Sequence, residues 1–123
     1  MSDQHPDKFF ITPDLVQQLL LQLEKDFVHS NLFGNHDQEK LKGNDIFDIV
    51  HEKVKELMNR NYGELANTYY RVDISERQLK DALSEDTTKT ESEVITTLIL
   101  KRELQKVVYR NIYKQSKDDD TSA

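Results

Sequence analysis

Apolar side chains recur at helical spacing along the middle of the chain, and this periodicity limits the fold more than any other feature. The recurring face is formed by Ile46, Val50, Val54, Leu57, Asn61, Leu65 and Tyr69. Steps of three and four residues place side chains on one face of an α-helix. The pattern predicts one long helix over residues 45–71. Gly63 lies inside it and costs about 1 kcal/mol relative to alanine, so a break between Asn61 and Gly63 is the alternative.

A first helix is predicted over residues 13–30. Thr12 is a good N-cap, and Pro13 suits the first helical position because its φ is already helical. Ile11, just before the cap, can pack on Val16 as a hydrophobic staple. Within the helix, apolar residues recur at Leu15, Leu19, Leu23 and Phe27.

A final helix is predicted over residues 91–114. Thr90 followed by Glu93 forms a capping box, which marks a helix start. The segment VITTLIL inside this helix is β-branched and apolar, so a strand is the alternative there. The cap before this segment and the polar KRELQK after it favour the helix.

The composition agrees with a helical fold. The 123 residues include only 3 glycines and 2 prolines, which disfavours turn-rich β architecture. The predicted fold is all-α, a small bundle of three longer helices and one short helix at about 13–30, 45–71, 91–114 and 76–84. We expect one domain over residues 9–115, preceded by a disordered arm (1–8) and followed by a disordered acidic tail (116–123).

Charge and composition exclude some classes of function and disfavour others. The net charge of −6 repels a phosphate backbone on average, so nucleic acid is disfavoured as a partner. The chain has no cysteine, which rules out disulfides and thiolate chemistry. The polar start MSDQHPDK lacks an apolar signal core, and no apolar run approaches the roughly 18 residues of a membrane span. We therefore expect a cytoplasmic protein without a membrane segment.

The stretch YYRVDISERQL interrupts the helical pattern and restarts it. Ser75 with Gln78 fits a capping box, which predicts a short helix over residues 76–84. Arg71 and Asp73 lie in the interruption and could form a chemical site. The favoured interpretation is a structural joint, in which the two residues pair with each other or bond the free ends of the two helices.

Two Asp-x-x-His pairs form the sharpest chemical hypothesis. Asp26 with His29, and Asp48 with His51, each place a carboxylate and an imidazole on one helix face, and some helical bundles bind metals with such pairs. Asp48 and His51 point away from the predicted apolar face, however, and His29 falls near a helix end. Surface polar residues explain all four, so no metal or other cofactor is expected from them.

Catalytic motifs are missing from the sequence. It contains no G-x-S-x-G nucleophile motif, no Ser–His neighbourhood and no glycine-rich phosphate loop. No carboxylate is marked by its neighbours as buried in an apolar run. No small-molecule substrate is indicated, and an enzyme is not favoured.

Two apolar stripes are present on the last predicted helix. One comprises Val94, Ile95, Leu98, Ile99, Ile112 and Tyr113, and the other comprises Leu100, Leu104 and Val107. A surface helix normally has one apolar stripe. This helix is therefore either central in its own domain or contacts another chain with one face. We expect the second stripe to contact a partner, most simply in a homodimer.

Residues 64–107 resemble a family of short uncharacterised bacterial helical proteins, and two segments carry the resemblance. The segment YRVDISE (70–76) is similar to that family's Tyr-Arg-Ile/Val-Asp-Val/Ile-Ser/Asn-Glu joint, and LILKRELQK (98–106) to its Leu-Ile-Ile-Glu-Arg-Gln-Leu-Gln-Lys segment. Lys101 and Glu103 depart from the pattern. The resemblance implies that residues 71–76 form a recurring architectural joint, and it implies no activity.

The functional hypothesis from sequence is a non-enzymatic protein–protein interaction or assembly module that self-associates through helix faces. The alternative is a metal-binding helical protein, or a metal-dependent enzyme, that uses the Asp/His pairs.

Overall fold

The computed structural model describes residues 12–122 of the chain, with side chains described as far as Lys114. The arm predicted over residues 1–8 and the predicted contact of Ile11 with Val16 lie outside the described residues.

Five α-helices and one short 3-10 turn make up the described part of the chain. They are α1 (Pro13–Asp26), the 3-10 turn (Gln38–Lys40), α2 (Gly43–Arg60), α3 (Tyr62–Val72), α4 (Glu76–Glu85) and α5 (Glu91–Ser122). Residues 12–122 contain no strand, so the predicted all-α bundle is confirmed. The VITTLIL segment is helical, in agreement with the favoured prediction.

The last helix lies at the centre of the bundle. α5 contacts each of the other four helices, and α3 also contacts α1 and α2. Buried apolar side chains from these helices and from the segment that follows α1 form one core, which includes Leu20, Leu23, Phe27, Phe33, Val50, Val54, Leu65, Val72, Ile95 and Ile99. The amphipathic α4 lies at the edge, where Leu79 and Leu83 pack half-buried against the core.

α1 starts as predicted and ends earlier than predicted. Thr12 caps its first turn through its side-chain hydroxyl. The helix stops at Asp26 instead of near residue 30, because Phe27 leaves helical geometry with φ −92° and ψ 65°. His29 and Asn31 then adopt left-handed φ values of 64° and 46°, so the helix does not resume. A right-handed helix cannot contain such residues.

The predicted single helix over residues 45–71 is wrong, and the alternative break is confirmed. Asn61 leaves helical geometry with φ −152° and ψ 72°. Its N–H donates to the carbonyl of Leu57 at 2.9 Å, and its Oδ1 accepts from the N–H of Glu64 at 3.1 Å. One residue thus ends α2 and caps α3, a role that favours asparagine. The apolar spacing continues across the break because both helices face the same core.

α5 starts at Glu91 as predicted, after the Thr90–Glu93 capping box. It continues to Ser122, past the predicted end at 114. Extending an existing helix requires no new nucleation, so the polar residues at its end can also be helical. The backbone is therefore helical through most of the segment predicted as a disordered tail (116–123), whereas the proposed domain limits stay a prediction. Among the described residues, no helix combines the length and apolar character that crossing a membrane requires.

Candidate functional site

The joint between α3 and α4 consists of two successive caps. Asp73 ends α3 in the left-handed conformation (φ 74°, ψ 53°), and the N–H groups of Asp73 and Ile74 bond carbonyls one turn earlier in α3. These two bonds form a Schellman motif. Ser75 then caps α4. The N–H of Gln78 donates to Ser75 Oγ at 3.1 Å, and the N–H of Ser75 donates to Gln78 Oε1 at 2.9 Å, which is the capping box that the sequence indicates.

Arg71 and Asp73 bond other helices and do not pair with each other. Arg71 Nε donates to the backbone carbonyl of Asp26, the last residue of α1, at 2.7 Å, and its guanidinium forms an ion pair with Glu64. Asp73 accepts a hydrogen bond from Arg102 of α5 at 2.8 Å. The two joint residues therefore attach α3 to α1 and to α5.

A buried ionic cluster lies next to this joint. It comprises Asp26 from α1 and Glu103 and Lys106 from α5. The exposed fractions of Asp26 and Glu103 are 5% and 0%. Lys106 Nζ lies 2.7 Å from Asp26 Oδ2 and 3.0 Å from Glu103 Oε2. We call these three residues the acidic–lysine cluster.

Lys106 also caps α3. Its Nζ donates to the backbone carbonyls of Arg71 and Val72 at 3.2 and 3.4 Å. The last carbonyls of a helix have no partner within the helix, and a positive charge near them is favoured by the helix dipole. A single ammonium group therefore joins the ends of α1 and α3 to the middle of α5.

A row of polar contacts continues from the cluster along the interface of α1 and α5. Gln22 donates to Asp26 Oδ2 at 2.9 Å and accepts from Arg110 at 2.6 Å. One turn further, Asn111 donates to Gln18 at 2.8 Å. These contacts fix the antiparallel register of the two helices.

The pKa values of the two buried carboxyl groups of the cluster shift in opposite directions. Burial, the hydrogen bond with Asp26 and the Asp26 charge raise the pKa of Glu103 to about 8. Burial also opposes ionisation of Asp26, but hydrogen bonds with Glu103, Lys106 and Gln22 outweigh it and lower the Asp26 pKa below its ordinary value. Burial likewise opposes the charge of Lys106, yet its bonds to the two carboxyls raise the pKa of Lys106.

At neutral pH the cluster thus contains an ionised Asp26, a charged Lys106 and a protonated Glu103. Lys106 Nζ lies 3.0 Å from Glu103 Oε2, but among the described residues no donor meets either Glu103 oxygen with good hydrogen-bond angles, which suits a neutral acid better than a carboxylate. Protonation lets Glu103 donate to Asp26 and leaves the cluster without net charge. Two adjacent ionised carboxylates would instead repel each other in a poorly solvated site.

Glu103 occupies a core position that neither of the two predicted stripes includes. Ile95, Ile99, Glu103 and Val107 follow one another at steps of four, and all four are fully buried. This row includes Val107, which the second predicted stripe assigned to a partner-facing side. A glutamate inside an apolar row at helical spacing is the sequence signal for this site.

The structure does not bring the four candidate metal ligands together. Asp26 is bonded to Lys106, and His51 Nε2 lies 2.8 Å from Ser92 Oγ. His29 and Asp48 are exposed. Among the described residues, no three His, Asp or Glu side chains converge in a way that could hold a metal ion.

The contact of His51 with Ser92 is a Ser–His neighbourhood that the sequence did not indicate, because the two residues are far apart in the chain. Ser92 is buried at the first turn of α5. The ring of His51 also packs against Phe47, with 5.5 Å between centroids. These contacts attach α2 to the start of α5, which supports a packing role.

The residues predicted to contact a partner differ in burial. Leu100 and Leu104 are half-buried, whereas Val107 is fully buried in the protein's own core. Val107 is therefore unavailable to a partner, and its assignment to the contact surface is corrected. The exposed apolar side chains of α5 lie further along, at Tyr109, Ile112 and Tyr113.

Comparison with known proteins does not place the chain in a family: it matches no protein-family model, and no curated protein or solved structure is significantly similar to it.

Proposed function

We propose that this protein is a non-enzymatic interaction or assembly module that self-associates through the outer face of α5. The proposal rests on the exposed apolar side chains near the end of the described part of that helix. Tyr109, Ile112 and Tyr113 are 62%, 53% and 71% exposed. We call these three residues the tyrosine face.

The spacing of the tyrosine face supports a single contact surface. Ile112 and Tyr113 follow Tyr109 by three and four residues, which places all three on one side of the helix. Tyrosine is enriched at protein interfaces because its ring buries a large apolar area while its hydroxyl bonds water or a polar partner. An apolar group of this kind on an otherwise charged surface typically marks an interaction site.

A second copy of the chain is the partner that we favour. One helix face can meet its own copy across a two-fold axis, and such dimers are the commonest oligomers. The inner face of α5 is occupied by the four other helices, so self-association would use the outer face without disturbing the core. Leu100 and Leu104 are half-buried and lie on other sides of α5, at about 100° of helix rotation per residue, so they do not belong to this contact.

The metal-binding alternative has less support. Asp26 already bonds Lys106, and His51 already contacts Ser92, so binding a metal there would require both contacts to break. The cytoplasmic location and the resemblance to bacterial helical proteins stay predictions from sequence.

Size-exclusion chromatography with light scattering tests the proposal. We expect a mass near twice the 14.5 kDa of one chain at high micromolar concentration. Replacing Tyr113 with aspartate should weaken the dimer at least about tenfold, which corresponds to 1.4 kcal/mol. The matched control is Tyr70→Asp, because Tyr70 is 88% exposed on α3. A monomeric wild-type protein, or equal weakening by both variants, would contradict the proposal.

A further inference from the structure

A polar groove lies between α2 and the loop that follows α1. It has a volume of about 640 Å³, which is within the roughly 300–1,000 Å³ of clefts that hold ligands. Residues 30–35 supply one wall, and the side of α2 between Ile49 and Arg60 supplies the other. The apolar lining comes from Leu32 and Ile49, so most of the groups that a ligand could meet there are polar.

The loop wall is held in place by the core and by its own turns. Leu32 and Phe33 are buried. The N–H of Gly34 donates to the carbonyl of Asn31 at 3.2 Å, and the N–H of His36 donates to that of Phe33 at 3.1 Å. The side chain of Asn31 lies against Gly34, where an added Cβ would overlap the amide. The wall is therefore formed before a ligand binds, which lowers the entropic cost of binding.

The charges on the α2 wall are balanced except at its end. Lys55 Nζ lies 2.7 Å from Glu52 Oε1, and Lys53 Nζ lies 3.3 Å from Glu56 Oε2. Arg60 is exposed at the last position of α2, and it forms no ion pair within the described part of the chain. The groove thus has one cation without a counter-charge. A guanidinium binds a carboxylate or a phosphate through two parallel hydrogen bonds.

The remaining polar groups of the groove are neutral, and each can both donate and accept a hydrogen bond. They are the hydroxyl of Ser30 and the amides of Asn31, Asn35 and Asn59, and all three amides are exposed. A ligand hydroxyl also donates and accepts, so a hydroxylated ligand matches these groups better than an apolar acid does.

The charge balance favours a carboxylate over a phosphate. One uncompensated cation matches the single charge of a carboxylate. A phosphate monoester carries a charge of about −1.5 to −2 at neutral pH, and the excess would be repelled by Glu52 and Glu56, which also line the groove.

We propose that this groove binds a small hydroxylated carboxylate, the chemistry of a sugar acid, with the carboxylate on Arg60 and the hydroxyls on the asparagine amides. The proposal is independent of the tyrosine face, because no residue of α5 lines the groove. It adds a ligand site to the proposed interaction module and requires no reaction of the ligand.

Titration of the protein with glucuronate, followed by nitrogen-15 NMR, tests the site. We expect the backbone N–H signals of residues 30–35 and 49–60 to shift together with one millimolar dissociation constant. Glucose has the hydroxyls without the carboxylate and should bind roughly tenfold more weakly, and glucose 6-phosphate should also bind more weakly than glucuronate. The absence of these shifts with glucuronate, or equal binding of glucose, would overturn the proposal. Tighter binding of glucose 6-phosphate would overturn the assignment of a carboxylate.

Two variants and a matched control test the contacts. Arg60→Gln removes the guanidinium at an exposed position, so the fold should persist, and glucuronate binding should weaken roughly tenfold. Gly34→Ala displaces the amide of Asn31 and should weaken binding as well, without changing any charge. Arg77→Gln makes the same change as Arg60→Gln at an exposed position of α4 and should leave binding unchanged. Glucuronate binding that survives both groove variants, or that Arg77→Gln weakens equally, would also overturn the proposal.

Discussion

Replacing Glu103 with glutamine should stabilise the protein, and the gain should grow with pH. Glu103 is protonated in the folded state up to about pH 8, whereas in the unfolded chain it ionises near 4.5. A group whose folded pKa is raised contributes stability below its unfolded pKa and loses it as pH rises through the folded value. Glutamine is always neutral and can donate to Asp26 from its amide. The substitution therefore removes the cost of proton uptake.

The size of the effect follows from the two pKa values. One pH unit corresponds to about 1.4 kcal/mol, so the cost of protonating Glu103 is at most about 3 kcal/mol at pH 7 and levels off above pH 8. Relaxation of the structure around the buried carboxyl reduces this cost, and we expect Glu103→Gln to stabilise the protein by about 2–3 kcal/mol at pH 7. Near pH 5 the gain should be less than about 1 kcal/mol.

Urea unfolding followed by circular dichroism at pH 5, 7 and 9 measures these differences. The pH dependence is the decisive quantity, because a change in packing alone would shift all three values equally. Glu85→Gln is the control, since Glu85 is exposed and its substitution should change stability by no more than about 0.5 kcal/mol. A difference between wild type and Glu103→Gln that is constant from pH 5 to 9, or a destabilisation at pH 7, would refute the protonated state.

Three further substitutions test the acidic–lysine cluster and the break between α2 and α3. Lys106→Met should destabilise the protein by about 3 kcal/mol at pH 7, because it leaves the buried Asp26 without its counter-charge. The control is Lys101→Met, on the exposed side of α5, which should change the free energy of unfolding by no more than about 0.5 kcal/mol. Equal effects of the two substitutions would contradict the cluster. Gly63→Ala should stabilise by up to about 1 kcal/mol, because the new side chain meets only Asn61 Oδ1 at 3.7 Å. Asn61→Ala should destabilise by about 1 kcal/mol through loss of the cap, and a neutral result in urea unfolding would contradict that role.

Local signals in the sequence predicted the helix starts well. The caps at Thr12, Ser75 and Thr90 each act within three residues of the chain, so their side-chain patterns are sufficient to predict them. The break at Asn61 was harder to predict because two signals compete there. The apolar spacing continues through Asn61, whereas its non-helical backbone angles and its side-chain bond to the next helix are visible only in the structure.

The candidate site depends on contacts between residues that are distant in the chain, and these could not be predicted from sequence. Asp26 and Lys106 are bonded across the α1–α5 interface, and no local pattern connects them. Asp26 was selected as a possible metal ligand, whereas its observed partner is an ammonium group. Glu103 was recognisable in principle, since it interrupts a row of buried apolar residues at steps of four.

The burial of Val107 in the structure also corrects the predicted partner surface. Val107 was assigned outward because the last helix was divided into two stripes. Since α5 is surrounded by four helices, most of its apolar residues face the core, and exposure is limited to the tyrosine face. The number of helices covering α5 depends on the tertiary fold, so the sequence pattern alone could not decide between a central helix and a partner-binding helix.

The protonation state of Glu103 is the property on which the description of the acidic–lysine cluster depends. A carbon-13 NMR titration of its side-chain carboxyl measures that state in the wild-type protein without any substitution. The Glu103 signal should titrate with a midpoint near 8, while exposed glutamates titrate near their ordinary values. A Glu103 midpoint near 4.5 would show that the buried carboxyl is ionised at neutral pH and would contradict the proposed cluster.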